Sequence, residues 1–176
     1  MRDLTIEGVA SRAGVGKPTI YKWWPTKAAL VMAMFRERVA PHFEGSTATS
    51  LEESIRMKVD GLIDQFNGFF GKVMAELIAE GQSEPALLAE LNEGYIRLRR
   101  ASTVADIRKA QLAGRFPTQV DPELVVDAIF GSIYYHMLLK LRPLTHDYGQ
   151  ALVDQVFRSL SGDGPLFRGA PRRRRA

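Results

Sequence analysis

The segment Thr5–Lys27, TIEGVASRAGVGKPTIYKWWPTK, restricts this chain more than any other. Thr5 can cap a helix by accepting from the backbone donors of its first turn, and Glu7 then lies near the positive end of the helix dipole. Ile6, Val9, Ala10 and Ala13 recur at the spacing of one buried helical face. Gly14 ends that helix, since glycine takes the left-handed conformation without a Cβ clash, and Val15 is expected as an apolar plug in the turn. Gly16-Lys17-Pro18 restarts the chain, because a proline in a first helical turn removes an N–H that has no intrahelical partner. Ile20 and Trp24 are four apart and can pack inward together. Thr19, Lys22 and Trp23 then point elsewhere, with Tyr21 at the margin. Pro25 stops the second helix and pushes Trp24 toward extended geometry. Thr26 is placed to cap a third helix.

Two short helices joined by a glycine-bearing turn form a helix-turn-helix pattern. The second helix is apolar on one side and carries Lys17, Thr19, Tyr21, Lys22 and Trp23 on the rest, groups suited to phosphates and base edges. Lys27, a cation at a helix start, opposes the dipole unless a phosphate binds there. The net charge of +4 supports nucleic-acid binding less than it first suggests. Five arginines, Arg168 and Arg172–Arg175, lie in the last residues, and without them 19 basic face 20 acidic side chains. Residues 1–30 nevertheless hold five cations against two acids, a local net of +3 on a near-neutral body. That is the electrostatic footprint of a DNA reader.

The run T-I-E-G-V-A-S-R-A-G-V-G-K-P-T-I-Y-K-W-W-P-T-K-A-A-L resembles the DNA-binding segment of the TetR family of bacterial regulators. Thr5, Ala13-Gly14-Val15, Thr19-Ile20-Tyr21, Trp23-Trp24 and Lys27…Leu30 fill the family's pattern without a gap. The resemblance implies that Thr5, Thr19, Tyr21 and Lys27 touch phosphates, that Lys17, Pro18 and Lys22 face bases, and that Trp23 lies at the groove edge. In the family a further helix precedes this segment and packs across it, whereas here only Met1–Leu4 do. On that basis Ile6, Val9, Ile20 and Leu30 are expected to lose part of their cover.

The remaining chain reads as helices throughout, so the expected fold is all-α: a helix-turn-helix unit with its connecting helix (1–43), a helical effector-binding and dimerisation domain (44–162), and a disordered basic tail (163–176). Thr26 to about Phe43 is one helix, which the resemblance makes the link between the two domains. Ser50 caps a helix bearing Ile55, Val59, Leu62, Ile63 and Phe66, and Glu52 and Glu53 suit its first turn. Asn67-Gly68 breaks it, and a shorter helix follows up to Gly81. A long helix is expected from about Pro85 to Ala113, with a bend at the polar Arg97–Arg100. Asp121-Pro122 opens a helix to Leu141 that is apolar almost all round, and a helix of that kind must be buried all round. The last helix, about His146–Ser161, has one apolar stripe. Packing of these two against a second copy would place Ile129, Ile133, Leu152, Val156, Phe157 and Leu160 in an isologous dimer interface, with Gly131-Ser132 allowing close approach. The family dimerises through its last two helices, and GRFPTQVDPELVVDAIFGSIYYHML resembles one type of TetR C-terminal domain.

Other chemistry finds no support in the pattern. There are no cysteines. No apolar run reaches the roughly 20 residues of a membrane span, and no signal peptide opens the chain, so a cytoplasmic protein without a membrane partner is expected. Gly14–Thr19 fails as a phosphate loop, because Ser11 stands where the first glycine is required and Pro18 follows the lysine. His42, His136 and His146 are isolated, so neither metal nor cofactor nor catalytic residues are expected, and the chain does not read as an enzyme. Phe66, Phe69, Phe70, Met74, Leu77, Tyr95, Tyr134 and Met137 suit an apolar effector cavity. The expected function is a homodimeric, ligand-responsive repressor that binds a pseudo-palindromic double-stranded DNA operator and a small apolar or aromatic effector. The alternative is a helical small-molecule binding protein whose DNA unit is defunct.

Overall fold

The computed structural model describes residues 6–26, 29–30, 33 and 48–161. The expectations for Thr5, Lys27, most of the connecting helix and the arginine tail lie outside these residues. Every regular element among the described residues is helical: α1 (Ile6–Ala13), α2 (Lys17–Trp23), α3 (Leu51–Asn67), α4 (Phe69–Gly81), α5 (Pro85–Leu91), α6 (Arg97–Leu112), α7 (Pro122–Val126), α8 (Ser132–Leu139) and α9 (His146–Ser161). Single π-helical turns, Asn92–Ile96 and Asp127–Gly131, join α5 to α6 and α7 to α8. The chain divides into two compact units, one drawn from residues 1–45 and 69–98, the other from 46–68 and 99–176.

Local chemistry sets the helix ends. The Ser50 hydroxyl accepts from the Glu53 amide at 3.1 Å, and the Glu53 carboxylate reaches back to accept from the Thr49 amide and hydroxyl, both at 2.7 Å. The Ser50 bond satisfies a donor that the first turn of α3 leaves without a helical partner, and the bonds from Thr49 hold the Glu53 carboxyl below its ordinary range. Asp121 caps α7 by accepting from the Glu123 amide at 2.9 Å, with Pro122 in the first turn. At the C-terminus of α6, Gly114 adopts φ +67°, while its amide and that of Arg115 return to the Gln111 and Ala110 carbonyls, the paired bonds of a Schellman ending. The Gln111 amide then donates to the Pro117 and Val120 carbonyls, closing the loop that follows.

In the second unit α9 lies along α3. Ile55, Val59, Ile63 and Val153 are fully buried. A Cβ at Gly149 would stand 2.6 Å from both the Ile63 Cδ1 and the Val59 Cγ1, so the approach of the two helices requires glycine there. Polar groups flank this apolar seam. Arg56 of α3 pairs with Asp154 and donates to the Gln150 side chain at 2.7 Å, and Gln150 donates in turn to Asp60. Lys58, on another side of α3, pairs with Asp106 of α6 at 2.6 Å.

Two details differ from the sequence expectation. The break in the long helix falls at Asn92–Ile96, not at Arg97–Arg100. Those arginines are taken up by ion pairs compatible with helix: Arg97 with Glu93 one turn earlier, and Arg100 with Glu123 and Asp127. The Asp121–Leu141 helix ends at Leu139, because Lys140 turns left-handed at φ 52°. It is not buried all round within one chain. Val125, Val126, Ile129, Ile133 and Met137 form an enclosed face, while Tyr135, Leu138 and Leu139 are exposed. Nothing lies within 4 Å of a Cβ placed on Gly131.

Replacing Gly149 with alanine should therefore destabilise the second unit by about 1–3 kcal/mol through overpacking. A lowered midpoint with unchanged slope in urea unfolding would show this, and wild-type stability would contradict it.

Candidate nucleic-acid interface

The first unit contains a small apolar centre made by the two N-terminal helices. Ile6 and Ala10 of α1, Ile20 of α2 and Leu30 are buried together, and Val9 and Trp24 pack against them. The cover that these side chains were expected to lack is largely supplied: Ile6, Ile20 and Leu30 keep no more than 6 % of their surface exposed. Val9 and Trp24 pack against this cluster and contribute to that cover. Ala13 and Val15 differ from expectation, since both are exposed. Val15 acts through its backbone rather than as a plug. Its amide donates to the Ala10 carbonyl at 3.0 Å and that of Gly14 to Ser11, with Gly14 at φ +66°. This is again a Schellman ending, and a Cβ at position 14 would be strained by the backbone angle although no atom obstructs it.

Helix α2 starts from an extended Gly16 with Pro18 in its first turn. It ends where Trp24 becomes extended, at φ −132° and ψ 96°, while its amide still closes on the Ile20 carbonyl, as the proline at position 25 demands. Anchored through Ile20 alone, α2 leaves its other side chains in solvent. Lys17, Pro18, Thr19, Tyr21, Lys22 and Trp23 are all exposed, Trp23 to 69 %. An indole so exposed on a seven-residue helix is not serving the core. Lys17 forms an ion pair with Glu7 of α1, which holds the Glu7 carboxyl below its ordinary range. Beyond α2, the Thr26 hydroxyl accepts from the Ala29 amide at 2.9 Å, the expected cap, and donates to Glu90 of the π turn's preceding helix at 3.1 Å.

The residues expected around an effector fall in both units. In the first, Met74, Leu77 and Tyr95 are buried and the Phe70 and Tyr95 rings lie 5.5 Å apart, while Phe69 is 67 % exposed. In the second, the Phe66 and Tyr134 rings meet edge to face at 4.9 Å and Met137 is buried. Of the residues expected between subunits, Ile129, Ile133 and Val156 are enclosed by their own chain, and Leu152, Phe157 and Leu160 are half-buried. Phe157 packs on Phe116 with ring centres 6.0 Å apart. Among the described residues no group of histidines and acids could hold a metal ion, and no helix is long and apolar enough to cross a membrane.

A glycine-ended helix, a tight turn and a second short helix with a solvent-facing set of cations, hydroxyls and aromatics match known regulators. Residues 1–34 match the family described as bacterial regulatory proteins, tetR family, and residues 46–156 match the tetracyclin repressor-like C-terminal domain. The chain belongs to the TetR family. It is 29 % identical over 157 residues to the HTH-type transcriptional regulator YdeS of Bacillus subtilis, covering 89 % of this chain and 79 % of YdeS. It is 28 % identical to the HTH-type transcriptional regulator Rv1556 of Mycobacterium tuberculosis, covering 87 % of this chain and 75 % of that protein. The crystal structure of the TetR family transcription regulator SCO0332 superposes with a TM-score of 0.78 at 27 % identity, over 88 % of this chain and 86 % of that one. The protein is thus a TetR-family transcriptional regulator with a helix-turn-helix DNA-binding domain. The sequence pattern alone did not reveal the Lys17–Glu7 contact, which joins two different helices, or the Thr26–Glu90 contact, which joins residues 64 positions apart.

Because Ile20 is the enclosed residue of α2, Ile20→Ala should cost about 2–4 kcal/mol of local stability. Amide hydrogen exchange should accelerate in α1 and α2 while α3 and α9 keep their protection. Uniform acceleration throughout the chain would contradict an independently packed N-terminal centre.

Proposed function

We propose that the protein is a homodimeric, ligand-responsive repressor whose α2 helices enter successive major grooves of a pseudo-palindromic operator. The observation that carries this reading is the division of α2: Ile20 is enclosed, while Lys17, Thr19, Tyr21, Lys22 and Trp23 are all presented to solvent. Lysines and hydroxyls placed in this way can meet phosphates and base edges, and two such helices about 34–36 Å apart would match one turn of B-DNA. Thr5 and Lys27 complete the proposed phosphate contacts, and Pro18 packs toward the bases. Lys22→Ala should relax sequence preference, whereas Lys27→Ala should weaken all sequences alike. Fluorescence anisotropy with DNA from the gene's own upstream region and with random duplex, over a salt series, distinguishes the two. Equal losses would refute this division of roles, and equal wild-type affinity for both duplexes would refute the reading itself.

The exposed face of α8 supports a second copy as its occupant. Tyr135, Leu138 and Leu139 stand three and four residues apart on that helix, and the half-buried Leu152, Phe157 and Leu160 offer a further apolar face on α9. Clustered apolar surface of this kind marks an interaction site, and a self-complementary pair of such faces is the commonest route to a dimer. Leu139→Glu spares the chain's own core, since Leu139 is 55 % exposed. In sedimentation it should give a folded monomer, and an unchanged dimer would exclude this face.

The effector would be apolar or aromatic. Each unit by itself offers a candidate apolar set: Phe70, Met74, Leu77 and Tyr95 in the first, or Phe66, Tyr134 and Met137 in the second. Tyr95 also lies within a π turn, an irregularity frequent at functional sites. An effector that prefers the non-binding form would release DNA by shifting the population of the two forms.

A further inference from the structure

Lys17 opens the helix proposed to read DNA, and in the protein alone its exposed ammonium is paired. It donates to the Oε1 of Glu7, which projects from the first turn of α1 across the turn between the two helices. Both side chains remain more than half exposed. A pair so exposed adds little to stability, and its effect falls on the surface that α2 presents. A lysine is a compact charge on a flexible stem with no preferred planar geometry, and left free it can settle on any phosphate within reach. Each phosphate neutralised in this way raises affinity for every sequence alike.

We propose that Glu7 is a specificity-determining residue of the DNA-binding unit, holding Lys17 in one direction over the start of α2 and restraining it from indiscriminate phosphate contacts. The inference rests on the DNA-reading function proposed above. The carboxylate fixes where the lysine starts from, so a site that offers an acceptor along that direction gains from it. A random duplex must first break the pair and leave Glu7 facing its phosphates. Glu7 thereby lowers affinity for random DNA more than for the operator, and the ratio of the two widens. No DNA contact by Glu7 itself is required. Its role is to position another side chain and to repel by proximity.

The test compares the full chain with Glu7→Gln, Lys17→Ala and the double variant, by fluorescence anisotropy on the upstream duplex and on a random duplex from about 0.05 to 0.2 M salt. Glu7→Gln should tighten binding to random DNA on the order of five-fold and steepen its salt slope by up to about 0.9, the release of one further counterion. Binding to the upstream duplex should change less, so that discrimination falls. In the Lys17→Ala background the same substitution should leave discrimination unaltered, since the two residues act as a coupled pair. An equal tightening on both duplexes would overturn the proposal, because Glu7 would then act only as a general negative charge. A loss of discrimination that persists without Lys17 would overturn it too, as would no change at all. If the wild-type chain does not distinguish the two duplexes, the DNA-reading function fails first, and that result is separate from any effect of Glu7.

Discussion

Helix α9 can lie on α3 only because Gly149 presents no side chain to Val59 and Ile63, and the second unit is built around that approach. With the backbone this close, Val59, Ile63 and Val153 are shut off from water altogether. Burial of that apolar area is the main favourable contribution to the unit. The polar groups beside it then have little freedom of placement. Arg56, Asp154, Gln150 and Asp60 form one connected network along the seam, and Lys58 ties α3 to Asp106 of α6. Half-buried charges of this kind are tolerated because they are paired and hydrogen-bonded. They fix the direction in which α3 packs more than they add to its stability.

The N-terminal centre solves a different problem. Among the described residues, Ile6, Ala10, Ile20 and Leu30 are buried together with Val9 and Trp24 packed against them, and of the residues of α2 Ile20 is the buried one. Everything else on that helix is available for recognition. The backbone supplies the rest of the order: a Schellman ending at Gly14 and a proline-enforced stop after Trp23 define the two helices without using side-chain burial. The Thr26 cap, shared with Glu90, joins the end of this centre to α5 within the same unit.

The helix from Asp121 onward shows how a uniform apolar pattern conceals a division. Its composition cannot say which side meets its own chain. The fold assigns Val126, Ile129, Ile133 and Met137 inward and leaves Tyr135, Leu138 and Leu139 outward, with a π turn at Asp127–Gly131 setting the phase between the earlier and later parts. Ile129 and Ile133 are enclosed by their own chain, and Leu138 and Leu139 after them are exposed.

Much of the architecture was legible because its determinants are local. Gly14, Pro18, Pro25, Ser50 and Asp121-Pro122 act on dihedral angles and backbone donors within a few residues, so these helix starts and stops follow from the sequence, as do the family and the helix-turn-helix class of the N-terminal segment. The break at Asn92–Ile96 was not legible, because a wide turn depends on what each half of the helix packs against, and the neighbouring arginines are satisfied by Glu93, Glu123 and Asp127 rather than by a bend. Nor could the sequence single out Gly149 among fifteen glycines, because its importance lies in a contact with residues more than eighty positions away. The same holds for Glu7, which by spacing is only a favourable charge at a helix start. Its meeting with Lys17 across the turn is a product of the tertiary structure, since the angle between two helices is fixed by the packing of Ile6, Ala10 and Ile20 and not by either helix alone.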